Sequence, residues 1–316
     1  MERRTKLEEL RQSIGKVLIG KDKTVDLMMV ALLARGHVLL EDVPGTGKTM
    51  LAKSIAKSIE GTFRRIQFTP DVLPSDVTGI QYLNPKTREF ETRYGPVVAN
   101  VLLADEINRA TPRTQSSLLE VMEERQVTID GETVRLPNPF IVLATQNPIE
   151  SHGTFPLPEA QMDRFLLKIN VGYPSFHQEQ SMMKAYRNEE PFNSLSSIYS
   201  TDEIIQMQES IKSVHLTEEI ESYMLSIVVE TRRSKQIEIG VSPRGTLAFM
   251  RAVQAYAWLK GRDFANPEDV KHMAPYVLSH RLVLSMEGEL RKTPEQVIQD
   301  ILDEVEVPVE AGAVQK

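Results

Sequence analysis

The sequence predicts an α/β fold: a parallel sheet covered by helices on both faces, followed by a smaller all-helical domain. Three observations carry that prediction. Nearly continuous apolar runs recur at 38–40, 97–104, 140–144 and 164–169, with helical patterns between them. Strands buried on both faces of a parallel sheet have this texture. The first of these runs leads into a glycine-rich loop that opens a helix. Beyond residue 172 the strand-like runs stop, and helical periodicity continues to about Val305.

The loop comes first in the chain. Val38-Leu39-Leu40-Glu41 runs into Asp42, Val43, Pro44, Gly45, Thr46, Gly47, Lys48, Thr49 and Met50. This nearly matches the phosphate-binding pattern G-x-x-x-x-G-K-[ST], with Asp42 where the first glycine is expected. Gly45 and Gly47 would let backbone N–H groups turn toward phosphate oxygens, and the helix that begins at Lys48 adds its partial positive charge. Lys48 would reach the β- and γ-phosphates, and the Thr49 hydroxyl would bind Mg²⁺. A plain Gly/Pro turn before a helix explains the glycines but leaves Gly-Lys-Thr at the helix start unexplained. Aspartate tolerates left-handed backbone angles, and phosphate is held mainly by the later N–H groups. Asp42 is therefore expected to leave the site intact.

The stretch 63–68 alternates like a strand. Two hairpins are expected next, one over about 78–95 with its turn at Asn84-Pro85, the other over about 126–137 with its turn at Asp130-Gly131. An Asp-Gly pair between alternating strands is a strong two-residue turn signal. Between the hairpins, Val101-Leu102-Leu103-Ala104 ends in Asp105-Glu106. That places two carboxylates at the carboxyl edge of the sheet. Asp105 would hold Mg²⁺ through water, and Glu106 would act as general base toward the attacking water. The run at 140–144 delivers Asn147, which either positions that water and the γ-phosphate or is only a polar strand-end turn. Arg164, where a helix meets the last strand, either stabilises transition-state charge or makes a surface pair with Asp163.

In the helical region, Ser242-Pro243 opens a helix that reaches Lys260 and is closed by Gly261. Asn266-Pro267-Glu268-Asp269 opens another, with a capping residue and proline in the first turn. The expected division is a nucleotide-binding core over 1–172 and a helical lid over 173–316.

Composition narrows the function classes. The 316 residues suit two domains. With 41% hydrophobic and 26% charged residues, an ordinary core is expected. The net charge of −7 argues against a nucleic-acid partner, although Arg64, Arg65, Lys86, Arg88 and Arg93 could form a local basic patch. There is no cysteine, hence no disulfide or thiolate chemistry, and a reducing cytoplasm is the expected location. No apolar run approaches the ~18 residues of a membrane span, and the opening MERRTKLEELRQ lacks the apolar segment of a secretory signal. The six histidines show no paired metal-ligand spacing.

Taken in order, these motifs resemble the AAA+ ATPases, and within them the MoxR group. The loop at 41–49 resembles the Walker A motif, and Asp105-Glu106-Ile107-Asn108-Arg109-Ala110 resembles Walker B. Ala144-Thr145-Gln146-Asn147-Pro148 is similar to sensor 1, the stretch 157–165 to the arginine-finger region, and Ser242-Pro243-Arg244 to sensor 2. The resemblance spans about Ile14 to Leu284. It implies a ring, usually a homo-hexamer, with ATP between neighbours, and hairpins that face the pore or a client. Arg164 would then be a finger reaching the next subunit, and Arg244 a lid arginine acting in its own or a neighbouring subunit. Ile19 and Gly20 resemble the segment that covers adenine; an apolar helix end plus a capping glycine describes them equally well. Arg109 stays open between a site role and a structural one. The implied function is ATP-driven remodelling or maturation of client complexes, beside a partner with a von Willebrand factor A domain. The alternatives are a nucleotide-gated adaptor with little turnover and a DNA-processing motor, the latter disfavoured by the acidic balance.

Overall fold

The computed structural model describes residues 2–41, 45–147, 153–187 and 189–308. Along the chain, α1 (Glu2–Val17) and α2 (Asp22–Leu33) precede β1 (Val38–Glu41), α3 (Lys48–Ser58), β2 (Phe63–Gln67) and α4 (Pro74–Thr78). A hairpin of β3 (Gly79–Leu83) and β4 (Phe90–Tyr94) leads to β5 (Val101–Asp105) and α5 (Pro112–Glu124). A second hairpin, β6 (Gln126–Ile129) and β7 (Glu132–Arg135), precedes β8 (Ile141–Gln146), α6 (Glu159–Met162) and β9 (Leu167–Ile169). Helices α7 (Phe176–Ala185) and α8 (Thr201–Ser210) follow.

Five strands pair in the order β2-β5-β8-β1-β9, every neighbouring pair parallel. Both faces are covered. Leu102 and Ala104 of β5 pack in one cluster with Leu118, Leu119 and Met122 of α5. Val101 and Leu103, on the opposite face, are equally buried, and α3 packs on β5. The expected apolar runs are therefore the buried strands. The run at 97–104 is shortened, because pairing begins only at Val101.

Both expected hairpins form. Asp130 (φ +48°) and Gly131 (φ +91°) make the two-residue turn between β6 and β7, both with positive φ as a type I′ turn requires. The β3–β4 turn follows Asn84, whose side-chain oxygen accepts the Lys86 N–H at 2.9 Å.

The chain divides into two compact units between Gln208 and Glu209, not at the change of texture near residue 172. Residues 173–208 are tied to the first unit by their own bonds. The Tyr186 hydroxyl donates to the Val17 carbonyl, and Lys57 donates to that of Phe192. The N–H groups of Ile198 and Tyr199 both reach the Ser58 carbonyl. Helical periodicity marks a helix but not the body it belongs to.

The second unit contains α9 (Glu218–Arg233), α10 (Pro243–Leu259), α11 (Pro267–Leu278), α12 (Met286–Glu289) and α13 (Pro294–Glu304). A short antiparallel ribbon, β10 (Ile237–Ile239) with β11 (Val283–Leu284), accompanies the helices. The expected starts hold: the Ser242 hydroxyl caps α10, and Asn266 with Asp269 forms a reciprocal capping box on α11. Gly261 (φ +79°) follows α10 in the left-handed geometry expected of a helix stop.

His37 fixes the entry to β1. Its ring is buried; Nε2 lies 3.0 Å from the Met122 carbonyl, and Nδ1 lies 3.0 Å from the Val142 N–H. Only a neutral ring with its proton on Nε2 serves both partners, donating to the carbonyl and accepting from the amide. Burial, helped by the charge of Arg125, pushes the pKa down to about 3. The unfolded chain takes up this proton near pH 6.5, whereas the folded chain resists until about pH 3. The His37 contribution is thus complete above pH 6.5 and declines as the pH falls toward 3. Urea unfolding followed by circular dichroism should show a loss of about 1.4 kcal/mol from this group for each pH unit below 6.5. A stability unchanged between pH 7.5 and 5.5 would contradict the buried neutral ring.

Candidate functional site

The parallel sheet carries the strand ends to one edge. Gln67 of β2 stands in register with Asp105 of β5, and Glu41 of β1 with Gln146 of β8. An open cleft of about 450 Å³ lies along that edge. One wall is the start of α3, from Gly45 through Lys48 and Thr49 to Lys53; the other is formed by Asp105, Glu106 and Asn147. The sequence-predicted residues Gly45, Gly47, Lys48, Thr49, Met50, Asp105, Glu106 and Asn147 therefore converge on one space.

The loop geometry explains its glycines. Gly45 has φ +87° and Gly47 φ +90°, and a Cβ at Gly45 would meet no atom within 4 Å. Backbone angle, rather than crowding, requires glycine there. Gly47 is the N-cap of α3 and has no side chain with which to cap it. The first N–H groups of a helix have no intrahelical partner and carry its partial positive charge, and the start of α3 lines the cleft. Asp42, Val43 and Pro44 lie outside the described residues, and so does the expected orientation of the Asp42 carboxylate. Thr46 belongs to the turn just before α3.

Asp105 and Glu106 are neighbours that both line the cleft, although successive strand residues point to opposite faces. A left-handed turn at Glu106 (φ +57°, ψ +49°) resolves this. Such a conformation costs a non-glycine residue about 1–2 kcal/mol. The Thr145 hydroxyl offsets it, accepting the Glu106 N–H at 2.8 Å and donating to Asp105 Oδ1 at 2.6 Å. A hydrogen bond involving a charged group contributes about 1.5–3 kcal/mol. Arg65 reaches the other oxygen, Oδ2, from Nη2 at 2.6 Å. Gln67 Nε2 donates to Glu106 Oε2 at 2.7 Å, and Arg109 Nη1 reaches the same oxygen at 3.1 Å. Arg109 thus has a place in the site network, the question its sequence left open.

Thr145, Arg65, Gln67 and Lys53 line the cleft and were missed by sequence reasoning. Arg65 and Gln67 lie two apart on β2 and so share a face. The alternation at 63–68 already showed that much, but only the β2–β5 pairing sets them beside Asp105 and Glu106. Arg65 therefore belongs to this network.

Arg164, Arg244, Ile19 and Gly20 are not among the residues that line the cleft. Arg164 follows α6 and forms an ion pair with Glu123 of α5, Nε lying 3.2 Å from Oε2, and it does not line the cleft of its own chain. Arg244 sits in the first turn of α10, in the second unit. Ile19 and Gly20 form the turn after α1. Gly20 has φ +75° and lies against the Gln178 side chain, while the preceding Leu18 would be 3.6 Å from a Cβ on Gly47. That turn therefore adjoins the end of the loop.

Among the described residues no group of three or more His, Asp or Glu side chains could hold a metal by itself. The Thr49 hydroxyl and the Asp105 carboxylate are hard oxygen donors on the two walls of one cleft. This sparse set suits Mg²⁺, which keeps several waters and binds through one or two protein groups together with substrate phosphates.

The description "ATPase family associated with various cellular activities (AAA)" matches residues 37–167, and an AAA lid domain matches 229–301. The chain is 48% identical over 304 residues to the uncharacterized protein YeaC of Bacillus subtilis, covering 96% of this chain and 95% of that one. It is 44% identical over 312 residues to the chaperone MoxR1 of Mycobacterium tuberculosis, covering 96% and 82% respectively. A crystal structure from Cytophaga hutchinsonii, described as a candidate ATPase, superposes with a TM-score of 0.91 at 38% identity, covering 98% of this chain and 96% of that one. With an AAA match over 37–167, a lid match over 229–301 and relatives 48% and 44% identical over 96% of its length, the chain belongs to the MoxR family of AAA+ ATPases.

Proposed function

We propose that the chain hydrolyses ATP in a homo-hexameric ring and uses the cycle to remodel or mature client protein complexes. The convergence of Lys48, Thr49, Asp105, Glu106 and Asn147 on one cleft is the observation that carries this reading. The loop over 42–50 and the α3 N-terminus would hold the phosphates, with the Lys48 ammonium against the β- and γ-oxygens. Thr49 and Asp105 would hold Mg²⁺, which supplies charge neutralisation at those oxygens. Glu106 would accept a proton from the water that attacks the γ-phosphorus, as the bond to the ADP oxygen breaks. Asn147 would orient that water. Ile19 and Gly20 would cover adenine, and Arg244 would bring lid closure to the nucleotide.

Arg164 would act on the neighbouring subunit's γ-phosphate after leaving Glu123. Its pairing with Glu123 outside its own cleft lining supports a site completed in trans. The relative named chaperone MoxR1 supports the client-directed role. A von Willebrand factor A domain protein as partner and a cytoplasmic location complete the proposal. No described helix is long and apolar enough to cross a membrane.

A second reading, a nucleotide-gated adaptor with little turnover, draws on one observation: Glu106 Oε2 is already engaged by Gln67 and Arg109. Glu106→Gln separates the two readings. The remodeller should lose at least about 10²-fold in ATP turnover, the lower range for a positioned base, while still binding ATP. An adaptor would keep both its residual turnover and its biological effect.

Mixing tests the shared site. Arg164→Ala and Glu106→Gln proteins should each be inactive alone. Mixed, they should regain turnover, because an intact Glu106 then meets an intact Arg164 across a subunit boundary. Turnover by Arg164→Ala alone, or no recovery on mixing, removes the finger assignment.

A further inference from the structure

We propose that Thr145 is the positioning residue that aims Glu106 into the cleft, so that its hydroxyl is required for ATP turnover but not for ATP binding. The inference rests on the hydrolytic reading above and adds a residue to it. It begins with the turn at the end of β5. Were the backbone to continue as a strand, Glu106 would face away from the side that Asp105 faces. The left-handed turn at Glu106 brings the two carboxylates together.

The Thr145 hydroxyl is the group that connects that turn to the neighbouring strand. Ala104 and Ala144 are paired in register, so the next residues, Asp105 and Thr145, adjoin at the edge of the sheet. The hydroxyl proton goes to Asp105 Oδ1 at 2.6 Å, and an oxygen lone pair takes the Glu106 N–H at 2.8 Å. Its donor and its acceptor capacity are both in use. Thr145 is only 1% exposed, so water has no ready access to replace it. Serine keeps this chemistry; valine keeps the shape and loses both bonds. Without the hydroxyl, the Glu106 N–H and Asp105 Oδ1 lose a shared partner. The left-handed turn then loses its hold, and Glu106 loses its fixed place over the attacking water. The α3 wall of the cleft, where phosphate would bind, makes none of these bonds.

The test uses full-length protein. Wild type, Thr145→Val, Thr145→Ser and Glu106→Gln are compared for kcat with Mg²⁺-ATP and for the Kd of a fluorescent N-methylanthraniloyl ATP measured without Mg²⁺, so that Asp105 does not enter the binding readout. Thr145→Val should lower kcat by about 10²-fold, the scale expected when a reacting group is misplaced by an ångström, with Kd within about twofold of wild type. Thr145→Ser should restore most of the loss. Thr145→Ala removes the hydroxyl without pressing a methyl group on the carboxylate, and is read in the same way should the valine variant fail to fold. Three results would overturn the proposal: wild-type kcat in both hydroxyl-free variants, a serine variant as slow as they are, or nucleotide binding lost in step with kcat. Glu106→Gln separates the two levels. If it is inactive while Thr145→Val is active, only the role of Thr145 falls. If Glu106→Gln turns over normally, the base assignment has failed and takes this proposal with it.

Discussion

Parallel pairing of β1, β2, β5, β8 and β9 is the constraint on which the rest of the site depends. Antiparallel strands would scatter the residues that follow each strand to both ends of the sheet. Here all five run the same way, so the loop after β1, the Gln67 end of β2, the Asp105 end of β5 and the Asn147 end of β8 meet along one edge. β8 lies between β1 and β5, which separates the loop after β1 from the carboxylates by one strand and leaves an open cleft. Burial fixes the register: a one-residue slip would turn Leu102 and Ala104 away from α5 and move Asp105 out of line with Gln67.

Charge along that edge is arranged rather than merely present. Lys48, Lys53 and Arg65 line the cleft against Asp105 and Glu106. Two like charges on successive residues would repel, and each is met by a separate arginine: Arg65 at Asp105, Arg109 at Glu106. The surroundings are only partly buried, with Arg65 46% and Arg109 42% exposed, so each pair contributes little to folding stability. Their effect is on direction. A guanidinium at one Asp105 oxygen and a hydroxyl at the other leave that carboxylate a single well-defined orientation.

Much of this was legible in the chain. Continuous apolar runs identified the buried strands, Asp130-Gly131 identified its turn, and Ser242 and Asn266 marked helix starts, because each depends on residues close in sequence. The glycine turn ahead of α3 and the Asp105-Glu106 pair at the end of β5 were legible for the same reason. Arg65, Gln67 and Thr145 were not, since their roles arise from pairing between strands about forty residues apart. The domain boundary was misplaced on similar grounds. The bonds that hold residues 173–208 to the first unit run from Val17, Lys57 and Ser58, and nothing local to the segment announces them.

The same distribution of partners bears on why a single chain is proposed to be an incomplete enzyme. Phosphoryl transfer places negative charge on three equatorial oxygens, and an added arginine is worth orders of magnitude in rate. The arginines nearest the catalytic carboxylates are already directed to them, Arg65 to Asp105 and Arg109 to Glu106. Were either to turn toward phosphate, it would leave a carboxylate with one partner fewer and loosen the geometry that aims Glu106. Arg164 carries no such duty, because its partner is Glu123 on α5, a residue outside the cleft lining. Moving it disturbs neither carboxylate. An arginine presented to a neighbour's phosphates would therefore add charge stabilisation without dismantling the base, and on the proposed ring subunit contact would be a condition of turnover.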